Sequence, residues 1–148
     1  MTNYEPTICP GILLAENVIR EHGTGKISII NSFGLFCSPS FPFQTQPFFV
    51  CIWLTNLYGK IPTVDITVRM EEPNTGHVFA STRNHIEIKP DAPPIPKDAI
   101  LELIFPFRPI TIQSAGSYSV AVLVNNEPVG HRLFQVIALT QPPQGSKS

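Results

Sequence analysis

Seven side chains have the chemistry of a nucleophilic or metal site: Cys9, Cys37 and Cys51, and His22, His77, His85 and His131. A thiol next to an imidazole can ionise and attack a carbonyl, so any such pair is a candidate centre. Cys51 lies inside the apolar run Phe48–Leu54, where a thiolate is poorly solvated. Cys37 opens a loop rich in proline and phenylalanine and is better placed. The histidines are far apart, and none has the close spacing of a His-x-x-x-His metal pair. Folding can gather distant residues, so spacing alone does not settle the matter. Separate turn or surface histidines are the default, and no metal or cofactor is expected. Three cysteines at wide spacing are most simply free thiols in a reducing compartment, with one disulfide or a reactive thiol as the alternatives. Glu71 and Glu72 are adjacent, so on a strand they face opposite sides and make a poor acid–base pair. There is no Gly-x-Ser-x-Gly elbow, and Gly23-Thr-Gly25 reads as a turn rather than a phosphate loop.

Binding candidates stand out more clearly. The loop Ser38–Pro47 is bounded by proline, and Phe41, Phe43, Phe48 and Phe49 in and beside it are apolar anchors of the kind interfaces use. The plainer reading is that these rings close one open end of a sandwich. Arg132 shares its parity with Gly130, Phe134 and Val136, which puts it at the rim on the core side. There it can snorkel, form an ordinary salt bridge or reach a partner. The run Phe48–Leu54 is apolar on both parities. One face belongs to a core; the other needs a loop or a second subunit over it.

The elements that position these residues read as strands. Tyr118, Val120, Val122 and Val124 alternate with Ser117, Ser119, Ala121 and Leu123, and Asn125-Asn126 tolerates the left-handed backbone of a hairpin turn. The chain returns through Val129–Leu139. Val64, Ile66, Val68 and Met70 alternate with Asp65, Thr67, Arg69 and Glu71, the clearest half-buried strand. A first strand over Ile12–Arg20, with a short helix as its alternative, turns at His22–Gly25 into a second over Lys26–Leu35. Strand character continues at His77–Thr82 and His85–Lys89 and again at Leu101–Phe105, with connections at Asn56–Pro62 and Pro90–Pro96. Helical periodicity is almost absent. The spacing predicts an all-β fold, a sandwich or barrel of about seven to nine mostly antiparallel strands. Residues 8–139 form one domain, and 140–148 a flexible polar tail.

Composition narrows the function classes. The chain has 148 residues, 43% hydrophobic and only 14% charged, and its net charge is -1. Charged residues normally make up about 25% of a chain, so little of this surface is covered by charge. No basic run exists to neutralise phosphates, which argues against nucleic acid. No apolar run is long enough to cross a membrane as a helix. Met1-Thr-Asn-Tyr-Glu-Pro lacks a basic start leading into an apolar stretch, so the expected location is the cytoplasm. Proline is frequent, with 16 residues, and mostly punctuates the apolar runs.

Gly116-Ser-Tyr118 resembles the start of the penultimate strand in immunoglobulin-like sandwiches, where the tyrosine hydroxyl bonds back to nearby backbone. Trp53, in an earlier strand, is then expected in the inter-sheet core. The two usual cysteines are missing, since Val120 stands two residues after Tyr118. The order of several further segments is similar to the DUF6941 family, small bacterial proteins of unknown function with an expected immunoglobulin-like fold. These are Leu14-Ala-Glu-Asn-Val18, Gly25-Lys-Ile-Ser-Ile-Ile30, Phe41-Pro42, Gly116-Ser-Tyr118, and a turn containing Glu127 and Gly130. That family carries no catalytic residues to transfer. The expectation is therefore a non-enzymatic immunoglobulin-like β-sandwich that binds protein, either a second copy as a homo-oligomer or another partner. The alternatives are a small enzyme or ligand-binding sandwich with a Cys/His site, and a structural component of a larger assembly.

Overall fold

The computed structural model describes residues 7–55, 63–87 and 100–140. The connections read at Asn56–Pro62 and Pro90–Pro96, Ile88-Lys89 and the tail after Thr140 lie outside the described residues. Eleven strands are present among those described: β1 Ile8–Arg20, β2 Ile27–Phe33, β3 Leu35–Ser38, β4 Phe43–Gln44, β5 Phe48–Thr55, β6 Thr63–Glu71, β7 Val78–Glu87, β8 Leu101–Phe107, β9 Thr111–Ile112, β10 Gly116–Val124 and β11 Glu127–Ala138. The number exceeds seven to nine for two local reasons. Gly34 separates β2 from β3, and the two-residue pair β4–β9 is too short to leave a period in the sequence.

The strands form a four-stranded sheet in the order β2-β1-β5-β8 and a five-stranded sheet in the order β3-β11-β10-β6-β7. All pairings are antiparallel except β3 with β11. The architecture is an immunoglobulin-like β-sandwich. Leu14, Val50, Ile52 and Leu54 of one sheet meet Ile66, Val68, Met70, Val120, Val122 and Phe134 of the other in a single core. The segment Leu13–Arg20 is strand, not helix, because Gly23 and Gly25 take φ of 95° and 70° and fold it directly onto β2. Asn125 and Asn126 are left-handed at φ 50° and 68°, the two-residue hairpin turn expected between β10 and β11. The Asn125 side chain also accepts a hydrogen bond from Asp65 N at 2.9 Å, which fixes the turn to β6.

The two long seams between the sheets differ. Along one, β1 approaches β11 so closely that a Cβ on Gly130 would lie 2.9 Å from the Cys9 carbonyl oxygen. Along the other, β7 and β8 are terminal strands of their sheets. The corner before β10 is locked as the motif predicts: the Tyr118 hydroxyl donates to the Ser114 carbonyl at 2.6 Å. Tyr118 is buried, so Tyr118→Phe leaves that carbonyl without its donor. The expected loss is about 1–2 kcal/mol of unfolding free energy with an unchanged β-sheet circular dichroism spectrum, read from urea denaturation.

Candidate functional site

The outer face of the four-stranded sheet is the most unusual surface of the molecule. Register places nine outward positions in three rows across β1, β5 and β8. These are Ala15, Phe49 and Pro106; then Leu13, Cys51 and Ile104; then Gly11, Trp53 and Glu102. A sandwich face left to solvent normally alternates to polar residues, as β6 does with Asp65, Thr67, Arg69 and Glu71. Here one position in nine is charged, and its charge is engaged: the Trp53 indole N–H donates to Glu102 Oε2 at 2.8 Å. The rows are tightly fitted. A Cβ on Gly11 would sit 3.0 Å from the Trp53 ring, so the glycine makes room for the indole. Ala15 and Cys51 are fully covered between their larger neighbours. Burial, followed by the charge of Glu102, pushes the Cys51 thiol up and keeps it protonated.

Trp53 therefore does not fill the inter-sheet core, contrary to the expectation from the immunoglobulin pattern. It has the parity of Phe49 and Cys51, opposite to the core residues Val50, Ile52 and Leu54. The run Phe48–Leu54 was legible as apolar on both faces. Leu13, Ile104 and Glu102 were missed, because only the cross-strand register brings them beside Trp53 and Cys51.

Three of the four expected aromatic anchors turn into the body of the protein. Phe48 is buried and stacks on Phe107 at 5.2 Å. Phe43 packs on Phe36 and Phe41, at 6.4 and 5.5 Å. These rings close one end of the sandwich, and Phe49 alone points outward. Beside them a cleft of about 380 Å³ is lined by Glu16, Leu35, Cys37 and Gln46 among others. Cys37 is exposed there, and none of the four histidines lines the cleft.

Arg132 is at the rim, on the side of Phe134 and Val136, but its partner is backbone. Nη1 donates to the Ile12 carbonyl at 2.9 Å, on the stretch of β1 that pairs only with β5. Cys9, Trp53, His131 and Arg132 line a common cleft of about 440 Å³. The Cys9 thiol donates to the Gly11 carbonyl at 3.3 Å, and burial pushes its pKa up. It rests protonated, the wrong state for a nucleophile.

On the opposite sheet, Asp65 accepts from His85 Nδ1 at 2.6 Å and lies 3.3 Å from Arg83. The bond to Asp65 raises the His85 pKa, and the same bond lowers that of Asp65. Glu87 stands 3.5 Å from His85 Nε2. Among the described residues no group of three or more His, Cys, Asp and Glu side chains is arranged to hold a metal ion.

The order of the strands and the tyrosine corner define the fold, and the sequence itself decides the family. The model of a family of unknown function, DUF6941, matches residues 11–137. The chain belongs to the DUF6941 family. No curated protein matches it. Among solved structures it is similar to an immunoglobulin-like protein (PA1606) from Pseudomonas aeruginosa, at 12% identity and a TM-score of 0.41, over 91% of this chain and 99% of that one.

Two measurements check this placement of the titratable groups. Cys37 should react with a thiol reagent in the native protein, Cys9 far more slowly, and Cys51 only on unfolding, as read by mass spectrometry of the labelled peptides. Asp65→Asn should lower the His85 midpoint in an NMR titration toward that of an ordinary imidazole; an unmoved midpoint would show the pair to be absent in solution. The signs are opposite for the two partners. The His85 contribution to stability is complete below the unfolded imidazole pKa and is lost as pH rises through the higher folded value. The Asp65 contribution is present above the ordinary carboxylate range and is lost as pH falls through its depressed value.

Proposed function

We propose that this member of the DUF6941 family is a non-enzymatic β-sandwich that docks protein through the outer face of its four-stranded sheet, with a second copy of the chain as the first partner. The observation that carries the reading is the nine-position face across β1, β5 and β8, which holds a single charged residue, already bonded to Trp53. Interface centres are depleted in charge and enriched in aromatic residues, and Phe49 and Trp53 stand in the middle strand of this face. The low charge of the whole chain supports the same reading.

Light scattering under reducing conditions, across a wide range of concentration, tests the proposal. The expected result is a mass that rises with concentration to a dimer or a larger closed form. Phe49→Glu places a charge on the middle strand of the face without entering the core. It should weaken association by at least about tenfold, a change of about 1.4 kcal/mol, while leaving the unfolding transition in place. A mass of one chain at every concentration would sink self-association. An oligomer that Phe49→Glu does not weaken would place the interface elsewhere.

A further inference from the structure

The two seams of the sandwich are finished differently. The β1–β11 seam is closed by the contact of Gly130 with Cys9 and by Arg132 reaching the Ile12 carbonyl. On the other side a cleft of about 780 Å³ opens between the first half of β7, Val78–Thr82, and the segment Pro106–Gln113. β7 is ten residues long and, among the described residues, pairs with β6 only. Its second edge therefore presents a row of N–H and C=O groups to the cleft side, and such a row is completed by another extended backbone. The opposing wall cannot supply a regular partner. Pro106 and Pro109 lack the N–H that a ladder needs, and both line the cleft.

Protection of this edge is uneven. Arg83, His85 and Glu87 place charges along the second half of β7, a usual guard against strand pairing. The first half, Val-Phe-Ala-Ser-Thr, carries none. The unguarded half is the half that borders the cleft. Half-buried Phe79 supplies apolar surface there, packed edge-on to the buried Tyr118 at 5.4 Å. Arg108 is exposed at the cleft and has no ion pair among the described residues.

We infer that this cleft binds an extended peptide segment that adds as a strand to the Val78–Thr82 edge of β7, with apolar side chains at alternate positions and a carboxylate directed to Arg108. Five residues of strand span about 17 Å, the length of the unguarded half-edge. Main-chain bonds to β7 supply most of the recognition, and the surface of Phe79 selects the apolar positions. The site shares Pro106 with the rim of the docking face proposed above but presents a different edge, and does not depend on that proposal.

The test uses the full ¹⁵N-labelled chain carrying Phe49→Glu, so that self-association through the other face does not enter. The probes are two acetylated, amidated hexapeptides of alternating valine and threonine, one with aspartate at its first position and one at its last. At least one should shift the Val78–Thr82 amides and slow their hydrogen exchange about tenfold at every second residue. N-methylation of alternate peptide residues should abolish the effect. Arg108→Glu should weaken the better probe by about tenfold. The inference is overturned if neither peptide perturbs Val78–Thr82 at about 1 mM, if the N-methylated peptide binds as well, or if the shifts map to another surface.

Discussion

Phe36 is the ring on which the two sheets lock together. It contacts Phe33 at 4.9 Å, Phe48 at 5.5 Å, Phe134 at 5.7 Å and Phe43 at 6.4 Å. Those partners come from β2, β5, β11 and β4, so one side chain joins both sheets and the short β4–β9 ladder. Its position depends on Gly34. Phe33 and Phe36 are three residues apart, and a continuous strand would send them to opposite faces. The break at Gly34 lets the chain leave the four-stranded sheet after Phe33 and enter the five-stranded sheet beside β11, with both rings facing inward. Gly34 also lies against Arg132, where a Cβ would come within 3.1 Å of the guanidinium. Aromatic pairs of this kind contribute about 0.5–1.5 kcal/mol each beyond their burial, so a misplaced Phe36 forfeits several at once.

The same device accounts for the closed seam between β1 and β11. The crossing at Gly34 brings β3 alongside β11, and β11 then sits close enough to β1 for Gly130 to meet Cys9 and for Arg132 to reach Ile12. On the far side nothing comparable crosses between β7 and β8 among the described residues. Phe79 and Tyr118 fill the floor, and the edge of β7 is left at the surface.

Local pattern carried much of the fold. The alternation in β6, the Asn125-Asn126 turn and the Gly116-Ser-Tyr118 corner each depend on a few neighbouring residues, and each is where the sequence places it. What lay beyond reach depends on pairing between distant strands. Trp53 looked like a core residue because tryptophan fills the core in related sandwiches; parity with Val50 and Ile52 decides otherwise, and only a known register fixes which parity faces inward. The dry outer face is harder still. β5 betrays its middle column as an apolar run, but Leu13 and Ala15, or Ile104 and Pro106, are unremarkable until the ladder sets them beside Phe49, Cys51 and Trp53. The four phenylalanines expected to act together divide for the same reason, three inward and Phe49 outward.

If the outer face docks protein as proposed, Glu102 bears on which partner it accepts. Its Oε2 is held by the Trp53 indole, which fixes the carboxylate at the edge of the face instead of letting it extend into water. A surface packed over the third row covers a charge whose other oxygen still needs a donor. An indiscriminate apolar surface leaves that oxygen unpaired and loses binding energy of about 1–3 kcal/mol or more. A partner that brings a hydrogen-bond donor to that point keeps the apolar gain from Phe49, Leu13 and Ile104 in full. In the docking proposed above, the single charge among nine positions would therefore weaken wrong partners more than right ones.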